Sequence, residues 1–380
     1  MRVEFHPSVT TSLGVEVEVG IVDLATEGLA GRASDVLAVL GEGHPGGVHP
    51  TVKHELYECS LELVTGVCPT VAAARADLER SLAQVRPVLA ERGLGLLATG
   101  VHPFASYHDL VRSPGERYED LVSRIGWPAR RLMTHGVHVH VGVRSGPRAL
   151  AITGALTGVL PVFLALSASS PYWHGRDTGL ASVRTKVFEA LPTTGLPPRL
   201  TGWDQFERLM GTLVTAGSIR TIREVWWDVR PHPDFGTVEL RMCDGAATLS
   251  EVAALAALGQ SFVEQCERRL DAGEPLPVPA EWVLRENKWR ACRWGLQARL
   301  VVDDDGRTAP VEQVAAGLVA DLAPVAAELG CDGELAGVLD ILEHGASYDR
   351  QRSVVAAGAT LPELVGVLRD EWATDVVHRG

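Results

Sequence analysis

The chain has 380 residues, 46% hydrophobic and 22% charged, which supplies a large buried core within the composition of an ordinary soluble protein. A formal charge of −13 argues against a nucleic-acid partner, because phosphate neutralisation needs clustered Lys and Arg. The six cysteines form no CxxC pair and read as small buried hydrophobes of a reducing compartment. No basic segment followed by an apolar run opens the chain. The most apolar stretch, 149–168, is interrupted by Thr153, Thr157, Pro161 and Ser167 and reads as a buried helix rather than a membrane span. A cytoplasmic protein without a membrane partner is expected.

In chain order, 13–23 alternates Val15, Val17 and Val19 with Glu16 and Glu18, the period of a strand. A second strand is expected over 55–65, ending at Gly66. Residues 70–92 form an amphipathic helix capped by Thr70. A short strand follows at 96–101, another at 136–143, and a mostly apolar helix at 148–170. Two further strands, 224–230 and 237–243, flank the turn-rich segment 231–236. A long Ala-rich helix is expected at 249–270, a hairpin around 301–307, and helices from 311 to the end. The strands do not alternate with helices in a βαβ rhythm and carry polar residues on one face. This pattern predicts an α+β fold: one antiparallel sheet with a working face and helices behind it, in a single domain over 1–380 whose portion from about 308 is helical.

The chemistry concentrates on those strands. Glu16 and Glu18 share a face about 7 Å apart, where they repel unless something positive lies between them. His138 and His140 repeat the spacing within the Gly136–Gly142 segment, and Glu239 and Arg241 repeat it with opposite charges. Glu58 and Glu62 share a register; Glu55 does not, and joins the same face only from the strand entry or across a bulge. Each pair alone is what the wet face of an amphipathic sheet would carry. Together, four strands turn carboxylate, imidazole or guanidinium groups to one surface and valine or leucine to the other. Oxygen-rich donors with an occasional imidazole suit Mg²⁺ or Mn²⁺ rather than structural zinc. Arginines beside such a site suit phosphate, and Arg176, Arg184, Arg230, Arg241, Arg290 and Arg293 are the candidates. The chain has no P-loop, dinucleotide fingerprint or nucleophile elbow.

At this point the residues resemble a known family, the glutamate–cysteine ligase family 2 or YbdK-type carboxylate–amine ligases, from about Thr11 to Ala298. The motifs are Gly14-Val15-Glu16-x-Glu18, Glu62-x-x-Thr65-Gly66-Val67-Cys68 and Gly136-Val137-His138-Val139-His140-Val141-Gly142. Ser170-Pro171-x-Trp173-x-Gly175-Arg176-Asp177-Thr178-Gly179, Ser182-x-Arg184 and Trp227-Asp228-x-Arg230-Pro231 follow. The last are Gly236-Thr237-x-Glu239-x-Arg241-x-Cys243-Asp244 and Glu286-Asn287-Lys288-Trp289-Arg290-Ala291. The resemblance implies a glutamine synthetase-like sheet whose concave face holds ATP and Mg²⁺, with Mn²⁺ as substitute. It assigns Glu16, Glu18, Glu55, Glu62, His138 and Glu239 to the metal and makes Arg184, Arg230 and Arg241 catalytic clamps for phosphate and carboxylate. Arg176 and Arg290 join those three as nucleotide ligands, and Trp289 with Arg290 would line the rim.

Three departures stand out: Val17 where the family commonly has an acid, Ser169 for an Asn, and His135 for a small or thiol residue. Val17 faces the core on a strand, which leaves the metal site intact, while Ser169 and His135 bear on substrate choice more than on the chemistry. The expected reaction joins a glutamate-like carboxylate to an amine, with glutamate–cysteine ligation as the family default. A specialised amide ligase using another amine, a metal-dependent ATP hydrolase and a non-catalytic nucleotide-binding protein are the alternatives. Asp244, Asp177 and His140 are the candidate bases for the amine, and a homodimer is the family expectation.

Overall fold

The computed structural model describes residues 1–378, so the last two residues of the expected C-terminal helical portion lie outside the described residues. The strands are β1 (Leu13–Asp23), β2 (Val52–His54), β3 (Ser60–Val64), β4 (Leu94–Leu97), β5 (Gly136–Gly142), β6 (Tyr172–Trp173), β7 (Arg176–Asp177), β8 (Val229–His232), β9 (Thr237–Asp244), β10 (Arg299–Val301) and β11 (Thr308–Pro310). The helices are α1 (Ala33–Leu40), α2 (Val71–Ala90), α3 (Glu116–Ile125), α4 (Trp127–Arg130), α5 (Gly146–Ser167), α6 (Val183–Phe188), α7 (Trp203–Thr215), α8 (Leu249–Asp271), α9 (Glu281–Trp294), α10 (Val311–Leu329), α11 (Asp332–His344), α12 (Ser347–Ala356) and α13 (Leu361–Thr374).

One antiparallel sheet runs in the order β2-β3-β1-β5-β9-β8, with β4 pairing beyond β3's reach along β1. The α+β arrangement expected from the strand patterns is the observed one. Alternation on β1 sends Val15, Val17 and Val19, each at most 2% exposed, into the core and leaves Glu16 and Glu18 half-buried on the other face. Helices α2, α5 and α8 pack on the apolar face, and α10 and α11 pack outside α8. Helix α5 is long and apolar enough to cross a membrane, but most of it is buried against β8, β9, α8 and α9. That is the buried-helix role its Thr and Pro residues predict.

Several boundaries differ from expectation for local reasons. The strand expected over 55–65 is confined to β3, and 55–59 link it to β2, which precedes the expected range. Ser60 donates its N–H to the Tyr57 carbonyl and Ala33 to that of Glu58, so this segment turns instead of pairing. Strand β4 stops at Leu97, because Thr99 and Gly100 bond to Ser169 instead. The strand expected at 224–230 begins only at Val229, since Ile222–Glu224 coils into a short turn. It runs on through Pro231 and His232, which leaves a tight turn to Gly236. Proline is tolerated there because β8 is the last strand of the sheet order. Helix α5 begins at Gly146, capped by the Ser145 hydroxyl, and ends three residues early, so that Ser169 and Ser170 are free for other contacts.

His102 has no exposure; Nε2 lies 2.9 Å from the Glu27 carbonyl, while Nδ1 accepts from the backbone of Ala105. Only a neutral ring satisfies both contacts, and burial lowers the His102 pKa to about 4. The unfolded chain therefore binds a proton that the folded chain refuses as pH falls from about 6.5 toward 4. Stability contributed by this group is complete above that window and is lost within it, by roughly 3 kcal/mol at most. Urea unfolding from pH 8 to pH 4 should show the loss. A His102→Leu variant should have the shallower pH dependence; an equal slope would show that the residue is not responsible.

Candidate functional site

The strand register assembles the polar face. Glu16 on β1 lies opposite His138 on β5, and Glu18 lies opposite Glu62 on β3. Across the next ladder His140 faces Glu239 on β9, and Glu239 faces Arg230 on β8. His138 Nδ1 is 3.1 Å from Glu16 Oε2, and its Nε2 is 4.0 Å from Glu18 Oε1. His140 Nε2 lies 3.4 Å from Glu16 Oε1 and 3.8 Å from Glu239 Oε1. The other ring nitrogen of His140 meets the Thr237 hydroxyl at 3.1 Å, leaving Nε2 without a hydrogen bond and aimed at the carboxylates.

Glu239 is almost fully buried. Arg230 Nε donates to it at 2.6 Å, and Arg241 Nη1 donates to its other oxygen. Burial opposes its ionisation, but the two guanidiniums outweigh that and hold its carboxyl well below the usual range. Burial likewise opposes ionisation of Glu16, and His138 and His140 override it in the same direction. The opposite holds one strand over. Burial, with Glu18 beside it, pushes Glu55 up to about 8. Burial and the charges of Glu55, Glu16 and Glu18 push Glu62 well above its ordinary value. Glu55 thus joins the group from the segment between β2 and β3, as its register requires, with one oxygen accepting from the Leu56 N–H at 3.1 Å.

This donor set fits a hard divalent cation. One ligand atom each from Glu16, His138 and Glu239 lies within 4.8 Å of the others. Carboxylate oxygens with a single imidazole are the donors Mg²⁺ and Mn²⁺ take. A cation among these acids would offset the crowding and burial that raise the pKa of Glu55 and Glu62.

The arginines divide. Arg241 and Arg230 flank Glu239, and Arg230 also donates to the carbonyls of Arg223 and Val225, so its guanidinium is fixed. Arg184 on α6 reaches the Arg241 carbonyl with both terminal nitrogens at 3.4 and 3.5 Å, and its Nε has no partner. It lies over Gly136: a Cβ there would sit 2.1 Å from Arg184 Nη2. Glycine is required for that approach, not for a special backbone angle. Arg176 is exposed on β7 and Arg290 bonds Glu286 at 2.6 Å and the Arg299 carbonyl at 2.9 Å, so neither side chain touches the cluster. Arg293 donates to the Gly179 carbonyl.

Of the candidate bases, Asp244 is fully engaged. It accepts from the Ser170 hydroxyl at 2.6 Å, the Ser182 hydroxyl at 2.8 Å and the Ser169 N–H at 3.1 Å. Because Ser170 Oγ in turn accepts from the Arg184 N–H at 3.1 Å, Asp244 orders the start of α6. Asp177 accepts a two-pronged contact from Arg352 at 3.0 and 2.7 Å. His140 alone keeps a nitrogen facing the acids. His135 is buried with Nε2 2.9 Å from the Ser60 hydroxyl, and burial lowers its pKa to about 4. Sequence reasoning missed the Asp244 hub and the need for Gly136, although both lie within quoted motifs.

Comparisons with known proteins identify the family and the fold. The profile described as Glutamate-cysteine ligase family 2 (GCS2) matches residues 12–365. A protein of Frankia casuarinae provisionally named glutamate–cysteine ligase 2-1 is 49% identical over 98% of both chains. One of Thermobifida fusca, provisionally named glutamate–cysteine ligase 2, is 46% identical over 98% of this chain and 93% of its own. Among solved structures, glutamate–cysteine ligase from Francisella tularensis in complex with AMP superposes with a TM-score of 0.70, covering 97% of this chain and 90% of that one at 13% identity. At that identity the likeness is one of fold. With a profile spanning nearly the whole chain and relatives this similar along their full length, the protein belongs to glutamate–cysteine ligase family 2.

Proposed function

We propose that the protein joins a small-molecule carboxylate to an amine at the expense of ATP, through an acyl phosphate, with Mg²⁺ held by Glu16, Glu18, Glu55, Glu62, His138 and Glu239. Family membership makes it an ATP-dependent ligase that forms a carbon–nitrogen bond; the divalent ion, the intermediate and the substrate pair are the finer reading. One observation carries it: Glu239 sits between two guanidiniums on one side and the Glu16–His138 pair on the other. Acids that hold a cation thereby adjoin bases that hold phosphate.

A carboxylate does not react with an amine at neutral pH, because its charge repels the nucleophile and oxide is a poor leaving group. Transfer of the γ-phosphoryl to a carboxylate oxygen, with ADP departing, supplies a good leaving group. The amine nitrogen then attacks the acyl carbon, a proton is lost from nitrogen, and phosphate leaves. Bound Mg²⁺ would neutralise phosphoryl oxygens during the transfer. Arg241 and Arg184 supply fixed positive charge where charge spreads on the phosphoryl group, and their unpartnered buried Nε atoms are donors reserved for such an anion. Arg230 fixes Glu239, and His140 Nε2 is the group placed to accept a proton. Glutamate–cysteine ligation, after the relatives' names, is the default substrate pair, and another amine is the alternative.

With Mg²⁺ and a panel of carboxylates and amines, ADP release should require both substrates, and hydroxylamine in place of the amine should trap a hydroxamate. ADP release that ignores the amine would make the protein a hydrolase, and none with any pair would remove the ligase reading. Glu239→Gln should lower turnover by about a thousandfold, by analogy with loss of a key electrostatic group. Gly136→Ala should cost at least about tenfold in kcat by displacing Arg184, while thermal unfolding shifts little. Unchanged kcat would dismiss Arg184 as a clamp.

A further inference from the structure

Lys288 belongs to a quoted motif whose role the cluster does not absorb. It lies on α9, away from the cation group, yet is 4% exposed. Its ammonium is 2.5 Å from Asp228 Oδ2 and 2.7 Å from Glu189 Oε1. Burial opposes its charge, but the two carboxylates outweigh that and raise its pKa. A lysine taken this far from water is normally costly and needs such partners.

The partners stand at informative places. Glu189 caps the C-terminal end of α6, five residues after Arg184. Asp228 immediately precedes β8, two residues before Arg230, and its carbonyl accepts from the Arg241 N–H at 2.8 Å. Its own N–H donates to the Gly195 carbonyl at 2.8 Å. One ammonium on α9 therefore ties together the supports of all three arginines of the site. The flanking residues serve the same bracket. Asn287 pairs with Val301 through both amide atoms, at 2.9 and 2.7 Å, which fixes α9 to β10. Trp289 lies under Lys186, which itself reaches Glu189 at 2.7 Å.

We propose that Lys288, acting through Glu189 and Asp228, is a positioning residue for the phosphate-binding arginines: it locks α6 against the start of β8 so that Arg184, Arg230 and Arg241 converge. This rests on the ligase reading for its kinetic readout but not for its spectroscopic one. Glu189→Gln is the decisive variant, because it removes the negative charge of the α6 arm, weakening its contacts to Lys288 and Lys186, and leaves the Lys288–Asp228 contact in place. Lys288→Met strands two carboxylates and serves as the stronger companion.

In the native background Glu189→Gln should lower kcat by about tenfold. In an Arg184→Lys background the same change should cost less than about twofold, since the two act on one element. The NMR signal of the Arg184 Nε–H group, assigned by its loss in Arg184→Lys, should shift or broaden in both Glu189→Gln and Lys288→Met. Equal fold losses in both backgrounds would overturn the proposal, because a purely structural role is multiplicative. An unmoved Arg184 signal would overturn it too. If the wild-type protein turns over no substrate pair, the ligase reading fails, while the NMR comparison still decides the positioning role.

Discussion

Everything at this site depends on Glu239, a carboxylate removed from water and held between Arg230 and Arg241. Desolvating such a triad costs several kcal/mol per ion, and mutual attraction repays it only with well-placed partners. The charges are therefore not what holds the fold together. Stability comes from the opposite face, where Val15, Val17, Val19, Val137, Val139, Val238 and Leu240 pack against helices. The sheet spends apolar burial on one side to hold a charge arrangement on the other that would not assemble alone. Val17 fits this division: it points into the core and leaves the polar face complete.

The polar face is also deliberately unbalanced. On the β9 side two guanidiniums offset Glu239. On the β3 side Glu55 and Glu62 face Glu16 and Glu18, with Lys53 opposite Glu62 and the charge of Arg117 acting on Glu55. An excess of acid at one end and of base at the other is an electrostatic shape that a divalent cation and a phosphate group would complement. Preorganisation follows, since the strands fix these groups before anything binds.

The helices do more than cover the core. Asp244 orders the start of α6 through Ser170 and Ser182. Gln351 on α12 donates to the Ser169 carbonyl at 2.7 Å, and Arg352 grips Asp177 and the Leu180 carbonyl, so the helical C-terminal portion braces the loop that leads to Arg184. Long-range contacts of this kind explain how Arg184, on a six-residue helix, is held still.

Much of the fold was legible in the letters, because strand alternation is a local property. Leu13–Asp23 was readable to the residue, as was the opposition of valines to Glu16, Glu18, His138 and His140. The break at Glu55 was foreseen only as a register conflict, and β8 was misplaced because a Pro-rich segment reads as turn unless its edge position is known. Arg176 on β7 and Arg290 on α9 lie outside the acid cluster. Composition and period cannot say where such an arginine points once the elements pack. The sequence by itself determined which residues share a face and, by motif order, the family. Only the tertiary structure decided which of them meet. The contact of Glu16 with His138 spans 122 positions, and that of Lys288 with Asp228 spans 60. Such pairings are set by sheet register and helix packing, which depend on the whole core rather than on any local run.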